Sequence, residues 1–244
     1  MVGDSTKENR LSLIIYCLEQ VSLQLSKKYK TDFIKMINNH ITKRIHAYED
    51  GHKAEDKKIL QIFVNMVYFF LTSTPLSEIE DLDIIIGQIC PIIFLNDDEL
   101  GVLGHKIYLL VITDSKSHKT AEYIKQMTVS FENKLERDDQ HIWENEEILY
   151  DYISILVKGI AYGKEEVMEE SLEMVDFMIK HTPRALAEKY ILKIVGPIIR
   201  ISNYPLLQRQ KIRIMDLLIY ISDQNFKIAP YHNQILSVCL RLLQ

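Results

Sequence analysis

The chain has 244 residues, 47% hydrophobic and 26% charged, with a formal net charge of −5, a balance that excludes a disordered chain and a surface that is basic throughout. Its 8 Gly and 6 Pro are too few for the many tight turns of a sheet protein, so the fold class expected is all-α. Cys17, Cys90 and Cys239 are odd in number and far apart, which fits neither a disulfide framework nor a zinc site and points to a reducing compartment.

From the N-terminus, MVGDSTKENR is polar and carries no apolar signal region. Apolar spacing then predicts helices near 7–27, 31–48, 54–72, 78–95, 98–113, 118–137, 146–162, 164–181, 185–201, 206–222 and 230–243. The stripe Ile191, Ile194, Val195, Ile198, Ile199 follows i, i+3, i+4, i+7, i+8, and Ile214, Leu217, Leu218, Ile221 repeats it. Short linkers separate the helices: 48–52, 73–77, 96–98, 114–117, 162–164, 181–184 and 202–205. Their Ser, Asp and Asn offer oxygens to the open N–H groups of the next helix, and their Gly and Pro stop the previous one. The oily stretches 59–71 and 82–95 fall short of the roughly 20 residues that span a bilayer, so they read as buried helices and no membrane contact is expected. With the cysteines, this leads to the expectation of a cytoplasmic chain.

Helix pairs starting at 31, 78, 146 and 185 recur at about forty residues with one irregular interval, a period that HEAT and armadillo repeats show. One hairpin cannot bury its apolar stripe, so neighbours stack into a solenoid. The expectation is therefore a single α-solenoid segment over 1–244, interrupted by the polar stretch 136–145 with the only Trp, Trp143. That stretch reads as a connector and a second candidate contact surface. Because CLRLLQ at the end is still apolar, the segment is expected to belong to a longer solenoid or to stack on another chain.

The stretch from Gly163 to Met215 carries Gly196-Pro197-Ile198-Ile199-Arg200-Ile201. It resembles the C-terminal HEAT repeats of the general-control translational activator, the ribosome-associated protein that activates the kinase of initiation factor two alpha. Pro91 to Asp98, His105 to Leu110 and Ile148 to Tyr162 resemble the repeats before it, in the same order. The chain departs from the family at Asn203-Tyr-Pro-Leu206 and around Trp143. The resemblance implies a scaffold whose C-terminal region binds the RWD domain of that kinase, with Arg200 the first residue to carry the contact.

No catalytic pattern accompanies it. The eight histidines form no i, i+4 pair with a neighbouring Glu base, Gly101-Val-Leu-Gly104 lacks the spacing of a phosphate loop, and no Gly-x-Ser-x-Gly occurs. Glu165, Glu166, Glu169 and Glu170 sit at helical spacing near a helix start, where they favour the dipole and face water. No enzyme activity, cofactor or metal is expected. Arg200, Arg209, Lys211 and Arg213 cluster at one elbow, either laddering with acidic residues of a neighbouring repeat or projecting to an acidic partner. Two other readings keep the chain non-catalytic. One is an adaptor for another protein client, of the transport-receptor or phosphatase-scaffold kind. The other is ribosome or RNA contact through Lys27-Lys-Tyr-Lys30 and Lys43-Arg44; direct DNA binding is not expected.

Overall fold

The computed structural model describes residues 27–51, 53–79, 82–95, 97–113, 118–135 and 145–243, with positions 13, 16, 17, 20 and 24 ahead of them. Most of the helix expected at 7–27, and the 136–145 stretch with Trp143 apart from Asn145, lie outside the described residues. Every long described element is an α-helix, and no strand occurs among the described residues. Where the sequence reading takes 1–244 as one segment, the helices cluster into two compact units, 1–111 and 112–244.

The first unit holds α1 (Lys27–Gly51), α2 (Ala54–Ser73), α3 (Leu82–Ile93) and α4 (Asp98–Ile112), whose last residue crosses the boundary. Helix α1 packs on both α2 and α3, burying Ile34, Ile37, Ile41 and Ile45 against stripes such as Leu60, Val64 and Val67. Tyr48, expected in a linker, is instead a buried residue of α1, because the helix runs three residues further to Gly51. Its hydroxyl donates to Asp97 at 2.9 Å.

Asp97 closes this unit. One carboxylate oxygen caps α4 by accepting from the Glu99 and Leu100 amides at 3.2 and 3.1 Å. The other takes Tyr48 and the Lys57 ammonium at 2.8 Å. Lys57 also reaches Glu99 at 2.8 Å. Burial pushes the Asp97 carboxyl up, but the bonds from Lys57, Leu100 and Tyr48 outweigh it and hold the carboxyl below its usual range. The same bonds raise Lys57 and Tyr48.

The second unit holds α5 (His118–Leu135), α6 (Glu146–Tyr162), α7 (Glu165–His181), α8 (Arg184–Ile201), α9 (Gln208–Asp223) and α10 (His232–Leu242). Helix α5 packs on α7 and α7 on α9, while α6 packs on α8 and α8 on α10. Two layers result, joined by the α6–α7 and α9–α10 contacts. This alternation is compatible with a helical solenoid. Ile191, Ile194, Val195 and Ile198 are fully buried, as are Ile214, Leu217, Leu218 and Ile221; each contributes about 1.5–3 kcal/mol by leaving water.

The layers meet closely at Gly159, where a Cβ would lie 2.4 Å from the Ser171 hydroxyl. Local chemistry sets the helix ends. Asn145 caps α6 by accepting from the Ile148 amide at 3.1 Å. Asn225, at φ 52, turns the chain out of α9 in the left-handed conformation that Asn tolerates. Pro197 sits inside α8 and Pro91 inside α3, so proline ends helices here only at some of its positions.

Candidate partner-binding surface

The elbow expected from sequence is present: Gly196–Ile201 closes α8, 202–205 turns, and α9 begins at Gln208, two residues later than predicted. The four cations around it separate into different environments. Arg209 pairs with Glu165 at 3.3 Å and Glu169 at 2.7 Å, and Arg213 pairs with Glu173 at 3.2 Å. These residues step by four along two neighbouring helices, so α7 and α9 zip together through a charged ladder. Glu165, in the first turn of α7, and Glu169, one turn further on, are therefore ladder members, a role that sequence position alone does not reveal. Glu170 is partly buried, and burial together with Glu173 raises its carboxyl.

Lys211 lies 100° past the buried Gln210, on the flank of α9 opposite to Arg209 and Arg213. It is half-buried and makes no ion pair among the described residues. Arg200 lies at the end of α8 and is exposed. Its guanidinium sits 5.0 Å from the centre of the Tyr162 ring, and no carboxylate lies within ion-pair reach among the described residues.

Arg200 is one of a set. Two helical turns earlier on α8, Lys193 sits over Tyr150 at 3.9 Å and near Tyr190 at 5.8 Å. The Tyr150 and Tyr190 rings are 5.9 Å apart. Tyr150, Ser154, Lys158 and Tyr162 step by four along α6, so they share one face. Tyr150 and Tyr162 are 43% and 67% exposed, which makes them ring platforms open to solvent. The N-terminal end of this face is acidic. Glu146 accepts from Lys189 at 2.7 Å and from the Tyr190 hydroxyl at 3.1 Å, and these bonds hold its carboxyl below the usual range. Beyond it, Lys158, Lys193 and Arg200 have no carboxylate partner among the described residues. The tyrosines were missed by sequence reasoning; the four-residue step of Tyr150, Lys158 and Tyr162 was the available signal.

The remaining expectations distribute plainly. Arg44 is bonded to Asp56 and so is tied to α2, while Lys43 is exposed. The side chains of Lys27, Lys28 and Lys30 lie outside the described residues. His105 is buried in α4, and burial pushes it down to about 4; His40 stacks on Phe63 at 5.4 Å, and His181 meets Phe177 in a tilted contact at 4.6 Å. Among the described residues no group of three or more His, Cys, Asp or Glu could hold a metal ion. No helix among them is long and apolar enough to cross a membrane. No family model, curated protein or solved structure matches the chain.

Proposed function

We propose that this chain is a non-catalytic scaffold of HEAT-like helical hairpins. It binds the RWD domain of the general-control kinase and promotes that kinase's activation on translating or stalled ribosomes in the cytoplasm. The observation that carries the reading is Arg200, exposed over the Tyr162 ring with no carboxylate in ion-pair reach among the described residues, within the stretch where the sequence resemblance is most specific. A guanidinium over a ring is restrained without being neutralised, which leaves its donors available to a bidentate carboxylate. The two-layer helix packing supports the scaffold part of the reading.

Arg209 and Arg213 take the laddering role, so the contact rests on Arg200 first and Lys211 second. Recruitment would work by effective concentration: holding the kinase at the ribosome makes its activation step intramolecular. The test is a titration of the RWD domain against the chain, Arg200→Ala and Lys211→Ala. Saturable binding that Arg200→Ala weakens about tenfold supports the reading, on the scale of one lost charge-assisted pair. Absence of binding by the parent chain ends it.

A second reading, an adaptor for another protein client, is favoured by the outer side of α10, where Leu236, Leu240 and Leu243 are 62%, 58% and 70% exposed. A client binding there would be indifferent to Arg200→Ala.

A further inference from the structure

Lys158, Lys193 and Arg200 of α6 and α8 meet no carboxylate among the described residues, and their pattern constrains what can meet them. Lys193 and Arg200 are seven residues apart on one helix, so their positions are offset by about 10 Å along its axis. Each rests on a tyrosine of the facing helix, Tyr150 at 3.9 Å and Tyr162 at 5.0 Å. The ring restrains the cation without neutralising it. Around them stand exposed apolar groups: Leu192 at 40%, Tyr204 at 66% and Leu207 at 45%. Tyrosine and arginine are the residues enriched at protein interface hot spots.

The rest of the unit shows how this chain satisfies such cations when it can. On the α7–α9 side, Arg209 and Arg213 meet glutamates spaced four apart on a neighbouring helix. On the α6–α8 side Lys189 has such a partner in Glu146, whereas Lys193 and Arg200 have none among the described residues.

We infer that the α6–α8 face docks an acidic helix of a partner protein, with carboxylates two turns apart seated on the Lys193–Tyr150 and Arg200–Tyr162 pairs. A protein segment fits better than single-stranded RNA for two reasons. Each platform ring already has a cation over one face, which removes that stacking surface from a base. Glu146, Glu147 and Asp151 lie at the N-terminal end of the same helix, where a continuous run of phosphates would be repelled. The inference rests on this chain being a protein-binding scaffold and is independent of whether the partner is an RWD domain.

The experiment uses fluorescence anisotropy with two labelled alanine-rich helical peptides of equal composition, one with glutamates seven residues apart and one with them adjacent. A labelled oligouridine is the third probe. The full chain, Lys193→Gln, Tyr162→Leu and Arg200→Lys are titrated, each checked by circular dichroism for retained helix. The spaced peptide is expected to bind the parent chain about tenfold tighter than the adjacent one, the scale of one charge-assisted pair. Lys193→Gln is expected to remove about that factor, Tyr162→Leu several-fold, and Arg200→Lys less than either. Equal affinity for the two peptides, unchanged binding by Lys193→Gln, or preference for oligouridine would each overturn the proposal.

An RWD titration in parallel separates the two claims. RWD binding that is sensitive to Arg200→Ala but indifferent to Lys193→Gln would keep the proposed function and refute the two-anchor face. Selective binding of the spaced peptide without RWD binding would do the reverse.

Discussion

Two sets of cations in this protein differ in what answers them. Lys57 in the first unit meets Asp97 and Glu99, and Arg209 and Arg213 in the second meet Glu165, Glu169 and Glu173. Among the described residues, Lys193 and Arg200 meet tyrosine rings and no carboxylate. The difference teaches where charge serves folding and where it is left for recognition. A carboxylate partner within the chain turns a cation into part of the packing. A ring orients the cation and leaves its charge in place. If this is right, substitutions in the first set should register in stability, graded by burial, and substitutions in the second set should register in binding.

The comparison breaks most visibly at Asp97, whose side chain is 6% exposed. Asp97→Ala leaves Lys57 and Tyr48 without their shared acceptor and uncaps α4, and should lower unfolding free energy by about 4 kcal/mol, read by urea denaturation. Asp97→Asn keeps an acceptor at the cap and should cost about half as much. The carboxyl's depressed pKa adds an acid arm. Its contribution is present above the ordinary carboxylate range and is lost as pH falls through the folded value.

Next in size is a proton effect in the same unit. His105 is pushed down to about 4 by burial, so the unfolded chain takes up a proton that the folded chain refuses. Stability should be complete above the ordinary histidine range near 6.5. It should then decline by about 3 kcal/mol toward pH 4 and flatten below it. Thermal melts across that range check the slope, which His105→Gln should abolish.

A third substitution acts on the seam that holds the two layers of the second unit together. Gly159→Ala forces a Cβ against the Ser171 hydroxyl and should cost about 2 kcal/mol, measured by the same unfolding curves. Arg213→Ala, at a half-exposed rung of the ladder, should cost only about 0.5 kcal/mol. That value sets the scale against which the recognition set is judged.

Much of this was legible in the sequence. The 3.6-residue stripes placed α6 exactly as found, and α2, α4, α7 and α8 within a residue or so, because a helix must bury one face and apolar spacing records which. Helix ends went astray where the last turn was polar, as at 48–51, or where a short turn of 3-10 helix precedes the α-helix, as at 76–78 and 229–231. The cation cluster was found, but its division was not. Arg209 and Arg200 look alike in sequence, and only the helix roughly forty residues upstream decides that one faces Glu165 and the other Tyr162. Ion pairs and ring contacts across layers depend on helix rotation, which a one-dimensional pattern constrains only loosely.

The most direct measurement pairs binding with stability in one variant. RWD-domain titration and thermal unfolding of Arg200→Glu, beside the parent chain, decide whether this cation belongs to recognition. The account predicts at least a tenfold loss of affinity, about 1.4 kcal/mol, with unfolding free energy changed by less than about 0.5 kcal/mol. An Arg200→Glu protein that melts several degrees lower and binds as the parent does would contradict it.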